Sequence, residues 1–252
     1  SLAELDYRPQ TMNVLDTLSR WEEAYHQDLV QNKSSQGGKG KSIHELERAV
    51  SPEVFQRMAF DAWRRLSFLD LFLSGENTMA DLWKGHFTSF GGDPTRVVYL
   101  RKWGTEKGRR VLSLAAKLPW KKSSDTITLE KSVEFRPREE NIGLSWKMTN
   151  TTRERIDCIY GSEWNLNFFA REREEREMSQ VEVQDGWSTV CLKISGSASF
   201  DYWQFPIETV AQTEAAFRLI HQGISVFPHW RLSLDPGESF SRRLNFSFSG
   251  KS

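Results

Sequence analysis

Polar side chains alternate with large apolar ones along one strand-like segment, and this row is the clearest candidate for ligand chemistry in the sequence. In residues 161–168, Glu163, Asn165 and Asn167 share one face, because successive side chains of a strand point to opposite sides. A carboxylate and two carboxamides in a row offer donors and acceptors spaced to meet the hydroxyl groups of a sugar. The alternative is a solvated sheet face, or polar groups covered by a neighbouring domain. The pattern alone leaves both interpretations open.

Two further segments place aromatic rings near polar side chains. His229 and Arg231 share the face opposite Trp230, and Trp203 lies on one face with Phe205. A saccharide site needs a ring that stacks on sugar C–H groups and polar groups that fix the hydroxyls. The residues that we predict to bind carbohydrate are therefore Glu163, Asn165, Asn167, Trp203, His229 and Arg231. In a sequence this rich in tryptophan, each single ring can equally belong to the core.

The sequence lacks the common signatures of catalysis. It contains no phosphate-binding GxxxxGK[ST] or GxGxxG loop, no HExxH zinc motif and no GxSxG nucleophile elbow. Paired carboxylates for glycoside hydrolysis need only be neighbours in space, so among 34 acidic residues such a pair carries no information. We predict no catalytic residue, no metal site and no cofactor.

Composition narrows the class of partner. The 252 residues contain 34 basic and 34 acidic side chains, which argues against nucleic acid or a membrane as the main partner. Aromatic residues make up 12%, with 10 Trp, an excess that suits either a large aromatic core or a sugar-stacking surface. Cys158 and Cys191 have no Cys or His at ligand spacing, which predicts reduced core thiols in a cytoplasmic protein.

The N-terminal part reads as helix and loop over about residues 11–75. From Thr11 to Val30 apolar residues recur three or four positions apart, which predicts an amphipathic helix. The Gly, Ser and Lys-rich stretch Asn32–Lys41 predicts a mobile loop. Pro52 is predicted to open another short helix.

Beyond about residue 95 the pattern is almost all strand. The predicted strands are Arg96–Trp103, Arg110–Leu118, Thr126–Phe135, Asn141–Thr149, Ile156–Phe169, Ser188–Ser195, Thr213–Leu219, Ile224–Leu234 and Ser239–Ser249. Strands at this spacing without intervening helices predict antiparallel sheets packed as a sandwich. The charged run 171–177 is interpreted as a solvated loop or edge. We therefore expect residues 1–252 to form a single, mainly β domain, a large antiparallel β-sandwich with main strands over about 95–250 and a short helical N-terminal segment.

Several blocks of this sequence resemble one known family. The segment Asn13–His26 resembles a stretch in the C-terminal part of glycoside hydrolase family fifty-seven enzymes, the α-amylase and 4-α-glucanotransferase group. Arg64–Leu73 is similar to the family's Arg-x-Ser-Phe-x-Asp-x-Phe-Leu stretch, and Gly161–Asn165 to its Gly-Val-Glu-Phe-Asn strand. The blocks similar to its closing strands are Phe205–Val210, Gln222–Gly223 and Pro228–Trp230. The blocks follow the family order along nearly the whole chain.

This resemblance implies a fold and a place in a larger protein. The fold would be a galactose mutarotase-like supersandwich beside a catalytic barrel. In the family the nucleophilic Glu and the acid Asp belong to that N-terminal barrel, which no segment here resembles, so no catalytic residue is carried over. We expect the chain to be excised from a longer enzyme, with the missing barrel and an α-glucan or maltooligosaccharide as its partners.

Three hypotheses follow from these observations. The leading one is a non-catalytic C-terminal domain of an α-glucan-processing hydrolase or transglycosidase, which supports the barrel and contacts glucan. The second is an independent carbohydrate-binding module. The third is a mutarotase-type epimerase, which would need a His paired with a carboxylate as general acid and base, for instance His229 with Glu163.

Overall fold

One continuous antiparallel sheet dominates the computed structural model, which describes residues 1–15, 17–23, 26, 52–121, 125–136, 139–212 and 217–250. The helices are α1 (Pro52–Arg57) and α2 (Met79–Lys84), with a 3-10 turn at Arg8–Gln10. The first strands are β1 (Asp6–Tyr7), β2 (Met12–Asn13), β3 (Leu69–Leu73), β4 (Leu100–Glu106), β5 (Arg109–Pro119) and β6 (Thr126–Phe135). They are followed by β7 (Asn141–Thr149), β8 (Ile156–Leu166), β9 (Arg173–Gln184), β10 (Cys191–Gln212), β11 (Phe217–Leu234) and β12 (Ser239–Ser249).

The 10-stranded sheet has the order β3-β8-β11-β10-β12-β7-β6-β5-β4, and β9 pairs with β10. Strand β10 is 22 residues long. Its first part, Cys191–Gly196, pairs with β12, whereas its second part, from Asp201 onward, pairs with β11. The pairing of β10 with β9 is irregular between Ser195 and Phe200. This long strand therefore connects two layers of one sheet.

Aromatic side chains show that the two layers pack face to face. The ring of Trp164 on β8 lies 4.6 Å from Phe246 on β12, and Trp146 on β7 lies 6.0 Å from Trp230 on β11. None of these strand pairs is adjacent in the sheet order, so the rings meet across the interior. The predicted large antiparallel β-sandwich is confirmed.

A buried ion pair also joins the layers. Lys131 on β6 lies with its Nζ 2.5 Å from Oδ2 of Asp70 on β3, and Tyr160 donates to the other oxygen of Asp70 at 2.9 Å. Burial lowers the pKa of Lys131, and the nearby Asp70 opposes that shift. A charged group placed in an apolar interior is costly without an opposite charge beside it, so this contact fixes how β3 sits against the opposite layer.

The two outer faces of the sandwich differ. We call β3, β8, β9, β11 and the second part of β10 the covered layer, because a second apolar cluster around Trp203 and Phe227 lies on its outside. Trp63 and the α2 residues Met79 and Trp83 pack onto that cluster. We call β4, β5, β6, β7 and β12 the open layer. The open layer presents a large concave surface.

The N-terminal helix prediction is wrong at residues 12–13 and 17–23, whereas residue 26 is helical. Met12–Asn13 is a two-residue strand, and residues 17–23 have no regular structure. The reason is tertiary: Asn13 Oδ1 accepts the amides of Leu5 and Leu15, and the amide of Arg20 donates to a distant carboxylate. The rest of the predicted helix, apart from residue 26, lies outside the described residues. The predicted loop Asn32–Lys41 lies outside them as well. The helix predicted to open at Pro52 is confirmed.

One segment was assigned to the wrong kind of structure. Leu69–Leu73, within the region expected to be helix and loop, is strand β3, and it is buried along its whole length. The interpretation of the charged run 171–177 as a loop or edge is confirmed, because residues 171–172 lie outside the strands and residues 173–177 begin β9, which pairs with β10 at the edge of the sheet. None of the helices in the described part of the chain has the length and apolar character that a membrane span requires.

Candidate functional site

Most of the polar row of β8 lies beneath another part of the chain. Glu163 and Asn165 are 4% and 0% exposed, whereas Asn167, just beyond the strand, is exposed. Residues 61–67 cross this face of the covered layer. From them Arg65 extends Nη1 to Oε1 of Glu163 and to Oδ1 of Asn165, both at 2.9 Å.

The same guanidinium completes a buried network of four charged groups. Arg65 Nη2 lies 2.7 Å from Asp61 Oδ1, and Arg20 Nη2 lies 2.6 Å from the same oxygen. Burial alone would raise the pKa of Asp61, but the two guanidinium groups lower it. Burial raises the pKa of Glu163, and Arg65 opposes that shift. Two cations and two carboxylates balance, which is how buried charges are tolerated.

Two of the blocks that resemble the family meet in this network. Arg65 and Ser67 belong to the block 64–73, and Glu163 and Asn165 to the block 161–165. Ser67 Oγ donates to the carbonyl of Asn165 at 3.0 Å and accepts its amide at 2.9 Å. Register pairs Leu69 with Glu163, so the two blocks continue as neighbouring strands. These residues fasten the N-terminal segment to the sheet.

Trp203 and His229 lie next to each other inside the second apolar cluster. They are 3% and 2% exposed, with ring centroids 4.3 Å apart. Trp203 Nε1 donates to Glu174 at 3.0 Å, and His229 Nδ1 lies 3.0 Å from the carbonyl oxygen of Phe227. Burial lowers the pKa of His229 to about 4, so the imidazole is neutral at neutral pH.

The structure does not gather the six predicted residues into one cleft. Glu163 contacts Asn165 through Arg65, and Trp203 contacts His229. Arg231 is exposed and donates to the carbonyl of Gly75 at 2.7 Å. Arg231 pairs with Ile159 on β8, and Ile159 lies eight positions before Asn167. At about 3.3 Å per residue, this places Arg231 roughly 26 Å along the strand from Asn167. Carbohydrate binding by these six stays a prediction.

A concave surface lies instead on the open layer. It is a groove of about 750 Å³ whose floor carries Ser113, Ser132 and Ser145, which are paired in cross-strand register. Lys102 and Arg243 continue that row at either end. Directly paired residues point to the same face, and short serine side chains leave the groove deep. We call this surface the serine groove.

Acidic side chains line and border the serine groove. Its carboxylate Glu130 lies 3.8 Å from Lys147, and the adjacent Glu134 lies 2.8 Å from Arg243. Each acidic group is thus paired with a cation. Within the described residues, no group of three or more His, Cys, Asp or Glu side chains is placed to hold a metal ion.

Sequence reasoning missed both Arg65 as the partner of Glu163 and the serine groove. Each serine stands at a polar position of a strand whose side chains alternate between polar and apolar, and this the sequence shows. The alignment of the three serines depends on the register between strands, which the sequence does not show. Arg65 is 98 positions from Glu163, and no local pattern links them.

Comparison with known proteins finds one matching family model and several relatives. The family model described as alpha-amylase/4-alpha-glucanotransferase, C-terminal, matches residues 1–244. The chain is 26% identical to the 4-alpha-glucanotransferase of Thermococcus kodakarensis over 235 residues, covering 89% of this chain and 33% of that protein. It is 25% identical to the alpha-amylase of Pyrococcus abyssi over 234 residues, covering 89% and 33%.

A solved structure shares the fold. The crystal structure of the 4-alpha-glucanotransferase from Thermococcus litoralis matches with a TM-score of 0.74 and 19% sequence identity, covering 97% of this chain and 34% of that one. The chain thus spans about a third of the length of the relatives it matches.

Proposed function

The chain belongs to the alpha-amylase/4-alpha-glucanotransferase C-terminal domain family, and from this membership we propose that it is the non-catalytic C-terminal domain of an α-glucan-processing enzyme. Its role is to support a catalytic barrel in the same longer protein and to contact α-glucan. The reaction of the whole protein, hydrolysis or transfer, belongs to that barrel.

One observation carries the proposal. Residues of two family-like blocks, among them Arg65 and Glu163, hold each other in a buried, charge-balanced network. Catalytic acids and bases must reach a substrate and keep a pKa suited to proton transfer. Residues that bind one another beneath a covering segment serve instead to build the domain.

An activity assay on the chain alone tests the proposal. The purified chain is incubated with maltoheptaose, and both newly formed reducing ends and transfer products are measured. We expect neither above the blank. Robust turnover by the isolated chain would contradict the non-catalytic role.

The epimerase alternative receives no support from the geometry of its proposed pair. Glu163 is bound by Arg65 at 2.9 Å and by Ser225 at 3.2 Å, and His229 Nδ1 lies against the carbonyl of Phe227. Both side chains are less than 5% exposed. Polarimetry of fresh α-glucose should show no acceleration of anomerisation by the chain.

We also propose a cytoplasmic location. Cys158 and Cys191 are both free thiols, and burial raises the pKa of Cys158 to about 12. Unpaired cysteines suit a reducing compartment. Fractionation of source cells should recover the protein with the cytoplasmic contents, and recovery from the medium would contradict this location.

A further inference from the structure

Three aromatic side chains form an exposed surface beside the turn between β9 and β10. Trp187 is 85% exposed and Phe169 is 47% exposed. The ring centroid of Phe169 lies 5.9 Å from that of Trp187 and 4.6 Å from that of His221. We call these three residues the aromatic patch. None of them belongs to the predicted carbohydrate-binding set or to the serine groove.

The turn that presents Trp187 is held in place by the buried Asp185. Its Oδ1 accepts the amide of Phe169 at 2.7 Å, and its Oδ2 accepts the amide of Ser188 at 2.8 Å. Burial alone would raise the pKa of Asp185, but these amides lower it, so the carboxylate is ionised at neutral pH. The amide of Gly186 donates to the carbonyl of Phe169 at 2.8 Å. A rigid turn fixes the ring before any ligand arrives, which reduces the entropy lost on binding.

The close approach of this turn to Phe169 also explains why position 186 is a glycine. A Cβ atom at Gly186 would lie 2.9 Å from the carbonyl oxygen of Phe169. The absence of a side chain lets the turn pack against Phe169 and keeps the Phe169 and Trp187 rings side by side, tilted by 35°. Two rings at this angle make a shallow platform wider than one side chain.

The turn that carries Trp187 has no exposed charge, and the exposed Arg171 and Glu172 that follow Phe169 are of opposite sign. Within residues 184–190 the single charged side chain is Asp185, which is 4% exposed. An uncharged aromatic platform favours a neutral ligand with flat C–H faces, because a ring stacks on such faces without requiring a counter-charge. An exposed apolar surface on a soluble domain commonly marks a binding site.

We propose that the aromatic patch binds α-glucan, with Trp187 stacked on a glucose ring and Phe169 extending the platform. The identity of the ligand rests on the proposed function, because the family ties this domain to α-glucan enzymes. The serine groove is the less suitable surface: it is lined by Lys102, Lys147 and Arg243, and the one aromatic residue in its lining, Trp146, is buried in the core.

Calorimetric titration of the whole chain with maltoheptaose tests the assignment. We expect saturable binding in the millimolar range or tighter, and Trp187→Ala to weaken it about tenfold or more. Phe169→Ala should weaken it by a smaller factor. The matched control is Trp103→Ala, which removes a tryptophan that is 61% exposed on β4, away from the patch, and should bind like the wild type.

Circular dichroism and melting curves establish that each variant is folded before it is titrated. Wild-type binding by a folded Trp187→Ala, or no saturable binding by the wild-type chain at about 10 mM maltoheptaose, would overturn the proposal. So would loss of binding in Ser132→Phe, which fills the serine groove, together with retention in Trp187→Ala. The turnover assay tests the non-catalytic role separately, so failure of the patch leaves that role standing, and only the absence of any wild-type binding would also remove the proposed contact with α-glucan.

Discussion

Arg65 is the side chain on which the buried polar chemistry of the covered layer converges. Its guanidinium contacts Asp61, Glu163 and Asn165, and it lies 5.7 Å from the ring centroid of Phe205. A buried ion pair adds little net stability over an apolar replacement of both partners, yet removal of one partner leaves an uncompensated charge. At this position a family-like residue serves the architecture of the domain.

Replacing Arg65 should therefore destabilise the domain strongly. We expect Arg65→Met to lower the free energy of unfolding by about 3 to 5 kcal/mol, because Glu163 and Asp61 then stay buried without their cation. Arg243→Met is the control: its pair with Glu134 is half exposed, and its loss should cost less than about 1 kcal/mol. Urea unfolding curves measure both. Equal midpoints for the two variants would contradict the structural role of Arg65.

His229 gives the domain a pH dependence with a definite sign. Its pKa is lowered from 6.5 to about 4 in the folded chain, so between those values the unfolded chain binds a proton that the folded chain does not. Stability therefore falls as pH falls from 6.5 towards 4, by about 2 kcal/mol at pH 5 for this residue. Asp201 and Glu174 raise this pKa and Arg231 lowers it, each less than burial does.

Unfolding at pH 7 and pH 5 measures this effect. His229→Gln should lose less stability between the two pH values than the wild type, whereas the exposed His86→Gln should behave like the wild type. An unchanged pH dependence in His229→Gln would show that the imidazole is not held neutral by burial.

At the scale of elements, β8 is the strand around which the covered layer is built. It pairs with β3 on one side and β11 on the other, and its central residues are buried on both faces. Gly161 permits this packing: a Cβ atom there would lie 2.4 Å from Cζ of Phe227 and 2.7 Å from Cβ of His229. The glycine is required by close approach of side chains from the neighbouring strand.

Substitution of this glycine should disturb the strand. We expect Gly161→Ala to lower the free energy of unfolding by about 1 to 3 kcal/mol, because Phe227 and His229 must shift to admit the methyl group. Gly104→Ala on the edge strand β4, where a Cβ atom meets nothing within 4 Å, should stay within about 0.5 kcal/mol of the wild type. Urea unfolding measures the pair, and a neutral Gly161→Ala would contradict the packing described for β8.

The strands differ in how far they could be predicted from sequence. Thr126–Phe135, Asn141–Thr149 and Ser239–Ser249 were predicted residue for residue, because one face of each is apolar and the other polar. Strand β3 was missed because Leu69–Leu73 is buried on both faces, and a short apolar run has no period that separates strand from helix. The helix predicted from the apolar period after Thr11 does not form at residues 12–13 and 17–23. Hydrogen bonds to residues distant in sequence, such as that of the Arg20 amide to Asp61, override the local preference there.

At the scale of the molecule, the tryptophans divide between the core and the exposed surface. Trp146, Trp164 and Trp230 fill the space between the layers, whereas Trp187 and Trp103 are exposed. Alternation along β8 places Glu163 on the face opposite Trp164, which the structure buries between the layers. It could not show what covers that face, because the covering residue Arg65 is separated by 98 positions. The fold and the family could thus be predicted from the sequence, whereas the partners of individual side chains could not.

We propose that this domain belongs to an α-glucan-processing enzyme and does not itself perform the chemistry of that enzyme. The most direct test is mass-resolved product analysis after prolonged incubation of the purified chain with maltoheptaose, with Glu163→Gln in parallel. We predict that both samples contain only the starting oligosaccharide, with neither shorter products of hydrolysis nor longer products of transfer. Products that form with the wild-type chain and are absent with Glu163→Gln would contradict the account, because they would place catalysis within this domain.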